Sequence, residues 1–167
     1  DSVASIIQAY TQITGRMEMP PLWSLGYQQC RYSYYPDREV LRLADTFREK
    51  EIPADVIYLD IHHMEKYKVF TFDGKTFPDP VAMIKSLKER GFKVVVILDP
   101  GIKNDPNYAP YVEGIEQGLF IRYPDQVPYE GHVWPGWCAF PDFTNPAARA
   151  WWANKLSFYS SLGVDGF

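Results

Sequence analysis

Apolar runs alternate with amphipathic segments along this chain, and the alternation restricts the fold more than any other feature. The runs ADVIYLDI (residues 54–61) and KVVVIL (residues 93–98) are almost continuously apolar. Such runs, rich in β-branched residues, are typical of strands that are buried on both faces of a parallel sheet. Segments with helical spacing of apolar residues separate them. The order predicts an α/β fold in which helices cover a parallel sheet.

Cap signals and periodicity place the other elements. The first helix is predicted over residues 1–14, where Val3, Ile6, Ile7 and Tyr10 share one apolar face. Further helices, each opening at an Asp or Asn cap, are predicted over residues 37–50, 79–91 and 145–163. Strands are predicted over residues 22–29, 54–61, 93–98 and 164–167.

Two architectures fit this order of elements, an open doubly wound sheet and a (β/α) barrel. A complete (β/α)8 barrel typically takes about 250 residues. The 167 residues present therefore correspond to a small open sheet or to about half of a barrel. Half a barrel leaves sheet edges and an apolar face unpaired, which favours a piece of a larger protein.

Composition excludes several classes of protein. With 46% hydrophobic residues the chain can bury a core, and 17 Lys+Arg against 21 Asp+Glu argue against a basic nucleic-acid binder. No membrane-spanning run is present, and residues 1–15 lack the pattern of a secretory signal. The aromatic content of 16% is high. Aromatic rings together with a net acidic charge suit a hydroxyl-rich ligand such as a carbohydrate.

Metal and cofactor chemistry has little support. Cys30 and Cys138 are too few for a disulfide framework or a zinc site, and we expect packed thiols. His62, His63 and Glu65 are close in sequence, but no further ligand lies at a suitable spacing. A histidine packed in a loop and bonded to a carboxylate is favoured over a metal ligand. The serine elbow, dinucleotide and P-loop motifs are missing from the sequence, so we expect no cofactor.

Aspartates follow two of the predicted strands. Asp60 and Asp99 stand near the carboxyl ends of the runs at 54–61 and 93–98, the end at which parallel α/β folds bind ligands. Each carboxylate can contact a substrate, or can simply cap the backbone of the following loop. The occurrence of two such residues favours a binding site.

The segment over residues 100–144 is too long for an ordinary strand-to-helix connection. It is rich in aromatic residues, which predicts either the wall of a pocket or a small core of its own. Trp134 and Trp137, in the rigid sequence VWPGW, are the best candidates for a fixed aromatic platform.

Motifs across nearly the whole chain, from Gly15 to Phe167, resemble one enzyme family. They are, in order, LWSLGYQQCRYSYYPD, IPADVIYLDIHHME, FTFDGKTFPDP, VVVILDPGI, HVWPGWCAFPDFTNPAARAWW and GVDGF. Together they are similar to the front half of the catalytic domain of glycoside hydrolase family 31, the α-glucosidase and α-xylosidase family.

The resemblance implies the first half, β1 to β4, of a (β/α)8 TIM-like barrel, so that residues 1–167 form a partial catalytic domain of a larger enzyme. Members of the family are retaining glycosidases, which use a carboxylate nucleophile and a second carboxylic acid as acid/base. The family nucleophile lies just beyond G-x-D-G-F/L, the motif that ends here at Phe167. We therefore expect both catalytic acids downstream and none in this chain.

The resemblance also implies substrate contacts for particular residues. Asp60 matches the aspartate that hydrogen-bonds the hydroxyl groups of the non-reducing sugar. The other matches are Ile61 and Ile102 as apolar lining, Trp134 as a pocket tryptophan, and Tyr32 as an aromatic near the leaving-group site. Asp99 is expected to be structural, and Asp165 to order the end of the fourth strand. His62 departs from many members, which have an acid at that position.

The expected function is that of the substrate-binding half of a retaining α-glucosidase-like enzyme, inactive when isolated. Its expected partners are an oligosaccharide or α-glucoside and the remainder of the parent barrel, with no nucleic acid and no membrane. A non-catalytic carbohydrate-binding half-barrel is the alternative. An aldolase-like or isomerase barrel is disfavoured, because no lysine or metal cluster follows a strand.

Overall fold

The computed structural model describes residues 2–167. The helices are α1 (Val3–Thr14), α2 (Asp37–Glu49), α3 (Pro80–Glu89), α4 (Ala109–Glu116) and α5 (Pro146–Ser161). The strands are β1 (Gln28–Gln29), β2 (Val56–Leu59), β3 (Lys93–Val96), β4 (Ile102–Lys103), β5 (Glu130–Val133) and β6 (Gly136–Ala139). Within this range no helix is both long enough and apolar enough to cross a bilayer.

A parallel sheet forms the centre of the fold. Its strands lie in the order β1-β2-β3, and β2 pairs with β3 from Val56↔Lys93 to Leu59↔Val96. The predicted parallel α/β arrangement is therefore confirmed for this sheet. The predicted fourth strand is reduced to one parallel bridge between Val95 and Gly166.

The first predicted strand, over residues 22–29, is wrong for most of its length. Residues Leu22–Leu25 form a 3-10 turn, and only Gln28–Gln29 pair with β2. Both the N–H and the hydroxyl group of Ser24 donate to the carbonyl of Pro21, at 3.0 and 2.8 Å. These local bonds bend the chain where an extended strand was expected.

Side-chain caps begin α3 and α5 as the sequence predicts. Asp79 accepts from the N–H of Ala82 at 2.9 Å, and Asn145 accepts from the N–H of Ala147 at 2.9 Å. A proline in the first turn follows each cap, where its missing N–H costs no helical bond. Asp37 is instead the first residue of α2, after Pro36.

Helices α2, α3 and α5 pack their apolar faces into one core with the parallel sheet. Val40, Leu87 and Tyr159 are each fully buried there. The Tyr159 hydroxyl accepts from the N–H of Phe70 at 2.9 Å, which satisfies its polar group within the core. Helix α1 differs, because none of its residues is buried and its predicted apolar face is exposed.

The segment over residues 100–144 is folded rather than an extended loop. It contains α4 and a second, antiparallel sheet in the order β4-β6-β5. In this sheet Cys138 is buried, as predicted, whereas Cys30 near β1 is exposed, contrary to the prediction. Gly114 in α4 lies against Phe120, and a Cβ at this glycine would come within 2.1 Å of the ring. The close approach packs α4 against the chain at Phe120, between α4 and the second sheet.

Asp165 joins the end of the chain to the start of β3. Its carboxylate lies 3.1 Å from Lys93 Nζ and 3.3 Å from Lys88 Nζ, and it accepts from the N–H of Val94 at 3.1 Å. The backbone N–H of Asp165 donates to the Val94 carbonyl at 2.8 Å. These contacts agree with the predicted structural role of Asp165.

We expect Asp165→Ala to lower the free energy of unfolding by about 1–3 kcal/mol, because two lysines and a backbone N–H lose a charged partner. Urea unfolding followed by tryptophan fluorescence measures the change. Glu89→Ala is the matched control, since Glu89 forms only an exposed contact of 4.0 Å with Lys85. Equal unfolding midpoints for the two variants would contradict the role of Asp165.

Candidate functional site

The turn after β2 is organised by hydrogen bonds to Asp60. Its carboxylate Oδ1 accepts from the N–H of Ile61 at 2.7 Å and caps the 3-10 turn over Ile61–His63. Its carbonyl accepts from the N–H of His63 at 3.1 Å. Asp60 is half-buried at the carboxyl edge of the parallel sheet. The pKa of the Cys30 thiol, which is exposed overall, is raised by partial desolvation of its sulfur and, to a smaller extent, by the negative charge of Asp60.

His63 fixes this turn to the core. Its side chain is 1% exposed, its Nδ1 lies 2.9 Å from the Asp60 carbonyl, and its ring packs against Phe72 and Tyr159. Burial lowers the pKa of His63 from 6.5 to about 4, although the Asp60 carbonyl and carboxylate favour the charged form. The predicted loop histidine is therefore found, with a backbone carbonyl in place of the predicted carboxylate.

The buried His63 predicts a dependence of stability on pH. Its pKa in the folded protein is lower than in the unfolded chain, so the unfolded chain takes up the proton first as the pH falls. Stability should be full above about pH 6.5 and should fall by about 3 kcal/mol towards pH 4. Urea unfolding at a series of pH values from about 7 to about 5 measures how steeply the free energy of unfolding falls with pH.

His63→Gln should flatten that slope, whereas His132→Gln, at an exposed histidine, should leave it unchanged. A His63→Gln variant with the same pH dependence as the starting protein would contradict the assignment.

An open recess of about 410 Å³ lies beside this turn. We call it the aromatic recess, since three aromatic residues and a histidine contribute to its lining. It is lined by Tyr35, His62, Met64, Lys66, Tyr67, Asp73, Thr76, Trp134 and Pro135. Lys66 and Asp73 place one positive and one negative side chain in the lining. Flat rings with charged hydrogen-bonding groups beside them suit a ligand that has both C–H faces and hydroxyl groups.

Tyrosines hold the ring of His62 in this lining. The ring stacks on Tyr35 with 4.8 Å between centroids and 3° between planes. Tyr32 and Tyr67 meet it edge-on, at 4.9 and 5.5 Å. The rings therefore position His62 by packing, and its buried Nδ1 atom has no hydrogen-bond partner within residues 2–167.

The loop after the turn at Ile61–His63 contains three residues with left-handed backbone conformation. Lys66, Tyr67 and Phe70 have φ angles of 49°, 62° and 58°, although none is a glycine. Strained residues of this kind persist where their surroundings fix them, and they cluster at binding sites. The N–H of Asp73 donates to the His63 carbonyl at 2.8 Å, which returns the chain to the turn after β2. The segment thus brings Lys66 and Tyr67 into the aromatic recess.

The structure brings together some of the residues predicted to bind substrate. Trp134, in the turn between β5 and β6, lines the aromatic recess, and Tyr32 contacts its lining through His62. Asp60 begins the turn after β2, which contains the recess residue His62, but Asp60 itself is not part of the lining. Ile61 and Ile102 are buried in the core, 5% and 0% exposed. Substrate contact by these five residues stays a prediction.

Asp99 follows β3 as Asp60 follows β2. It is half-buried, and burial raises the pKa of its carboxyl group, partly offset by a hydrogen bond from the backbone of Gly101. Among residues 2–167 no group of three or more His, Cys, Asp or Glu side chains lies close enough to bind a metal ion.

Several lining residues were not predicted from the sequence. Tyr35, Lys66, Tyr67 and Asp73 reach the aromatic recess through loop backbone that has no sequence periodicity. The one available signal was the cluster of tyrosines in RYSYYPD, which ends at Asp37.

Comparison with known proteins decides the family. The sequence model described as "Glycosyl hydrolases family 31 TIM-barrel domain" matches residues 17–167. The chain belongs to glycoside hydrolase family 31. It is 53% identical over 161 residues to Alpha-glucosidase 2 of Bacillus thermoamyloliquefaciens, a match that covers 96% of this chain and 20% of that protein. The chain therefore spans about a fifth of the length of this curated relative.

Solved structures of family 31 enzymes share the fold. The family 31 α-glucosidase from Bacteroides thetaiotaomicron has a TM-score of 0.87 and 48% identity, over 97% of this chain and 28% of that chain. A mutant of a Flavobacterium johnsoniae dextranase complexed with isomaltotriose has a TM-score of 0.89 and 34% identity, over 97% of this chain and 20% of that chain. The predicted family and the α/β barrel class are confirmed, with the chain as a fragment of larger proteins.

Proposed function

We propose that this chain forms the substrate-binding wall of a longer retaining α-glucosidase, as the first half of its barrel. The observation that carries the proposal is the aromatic recess, in which Trp134, Tyr35, Tyr67 and His62 surround an opening beside the Asp60 turn. The 53% identity to an α-glucosidase supports an α-linked glucoside as the substrate. The isomaltotriose bound to the related dextranase supports the same ligand class.

Asp60 is the main polar contact in this proposal. Its Oδ1 is held by the Ile61 N–H, whereas Oδ2 has no hydrogen-bond partner within residues 2–167. A carboxylate oxygen that is already positioned can accept from a sugar hydroxyl without a further loss of side-chain freedom. The Asp60 carboxylate therefore binds hydroxyl groups of the non-reducing sugar.

The apolar groups shape the rest of this wall. The half-exposed ring of Trp134 stacks on a C–H face of the sugar. Tyr32, which packs against His62, contacts the leaving group. Ile61 and Ile102 limit the depth of the pocket from below, where both side chains are packed in the core. Packed residues of this kind exclude water from the bound sugar.

The two reacting carboxylates come from polypeptide outside this chain. Retaining glycosidases place their carboxyl groups about 5–5.5 Å apart. Asp165 cannot pair with Asp60 in this way, because it contacts Lys93 at the start of β3 whereas Asp60 follows the end of β2. The parallel strands between them extend over roughly 13 Å. As the family resemblance implies, the chain binds and orients the sugar, and the remainder of the barrel supplies the nucleophile and the acid/base.

In the whole protein, Asp60→Ala should lower kcat/KM on a nitrophenyl α-glucoside by a factor equivalent to about 2–5 kcal/mol, since a buried charged contact to the sugar is lost. Asp125→Ala is the matched control, because Asp125 is an exposed acid that only accepts from the backbone N–H of Val127. Equal kinetics for the two variants would remove Asp60 from the site.

The isolated chain should release nitrophenol from the same glucoside no faster than buffer does, because it lacks both reacting carboxylates. Sustained turnover by the purified 167-residue chain would contradict the assignment. The coding sequence after Phe167 tests the alternative of a non-catalytic binding module: a W-x-D-M-N-E-P-like continuation supports the enzyme, and a stop codon supports the binding module.

A further inference from the structure

Trp137 lies on an exposed face of the antiparallel sheet, outside the aromatic recess. Its side chain is 57% exposed, whereas the next residue along β6, Cys138, is fully buried. His132 stands opposite Trp137 in the register of β5 and β6, and the two rings meet edge-on at 5.8 Å. The indole is thus held by its cross-strand neighbour while it remains accessible to solvent.

Polar side chains surround this indole. The N–H of Asn104 donates to the Trp137 carbonyl at 2.9 Å, and the Asn104 side-chain amide donates to the Glu130 carboxylate. Lys103 Nζ lies so close to Gly136 that a Cβ there would be 2.9 Å away. Lys103, Asn104, Glu130 and Trp137 together line an open depression of about 460 Å³, which we call the Trp137 face.

The Trp137 face combines the groups that recognise a sugar ring. An exposed indole offers a flat apolar surface, while an amide, a carboxylate and an ammonium group beside it donate and accept hydrogen bonds. The Asn104–Glu130 hydrogen bond orients both polar side chains in advance, which reduces the entropy lost when a ligand binds. A tryptophan that served only the core would be buried, as Trp151 is.

We propose that the Trp137 face is a second sugar-binding surface, which takes a pyranose ring of an α-linked oligosaccharide whose terminal sugar occupies the aromatic recess. The inference rests on the proposed function of that recess. The two surfaces share the β5–β6 hairpin, since Trp134 is in its turn and Trp137 is the second residue of β6. Three residues separate the two tryptophans along the chain, so their Cα atoms lie at most roughly 10 Å apart, which one oligosaccharide can bridge.

The test compares substrates of different length in the whole protein. Trp137→Ala should raise KM for an α-linked glucose pentasaccharide by about threefold to tenfold more than it raises KM for a nitrophenyl α-glucoside, because only the longer substrate reaches the indole. Trp137→Phe should recover part of the difference, since a smaller ring still offers a stacking surface.

Tyr123→Ala is the matched control. Tyr123 is an exposed aromatic residue of the same segment, 49% exposed, and it contacts Tyr129 rather than the Trp137 face. It should affect both substrates equally. Equal effects of Trp137→Ala on the two substrates would overturn the proposal, and a lowered melting temperature with that result would assign the indole to an interface with another part of the polypeptide.

Failure of this inference is distinguishable from failure of the proposed function. If Asp60→Ala impairs both substrates while Trp137→Ala does not discriminate between them, only the Trp137 face is refuted. If Asp60→Ala impairs neither substrate, the proposed function itself fails, whatever the result for Trp137.

Discussion

The hydrogen bonds around Asp60 are the constraint on which the rest of the site depends. Its carboxylate and its carbonyl both accept from the turn that follows β2, and His63 fixes that turn in the core. An ionised His63 would disrupt this packing, and its lowered pKa shows that the core favours the neutral ring. His62 lies within this turn and Tyr67 in the next one, so their positions in the aromatic recess depend on it.

The two edges of the parallel sheet have separate roles. At the amino edge, Asp165 and its lysines attach the end of the chain to β3, which is a contribution to stability. At the carboxyl edge, Asp60 and the loops beyond it leave rings and polar atoms accessible. This division is general in parallel α/β folds, where the loops after the strands carry function and the opposite loops carry stability. Asp165 and Asp60 therefore have different roles, although both lie at an edge of the same sheet.

Sequence reasoning succeeded where the determinants are local. The caps Asp79 and Asn145 and the apolar runs of β2 and β3 act within a few residues, and the structure has each of them in place. It missed α4 and the strands within residues 100–144, because strands of two to four residues are too short to show a period, and β4 pairs with β6 far along the chain. The position of Trp134 beside the recess agrees with the family resemblance, whereas the left-handed backbone at Lys66 could not be predicted from side-chain pattern.

The most direct test is a crystal structure of the whole protein with glucose or an α-glucoside inhibitor bound. We expect a pyranose ring against the indole of Trp134, with its hydroxyl groups donating to the Asp60 carboxylate. Two carboxylates from sequence beyond Phe167 should flank the anomeric carbon. A sugar bound away from Trp134, with Asp60 contacting only the Ile61 N–H, would contradict the proposed roles of both residues.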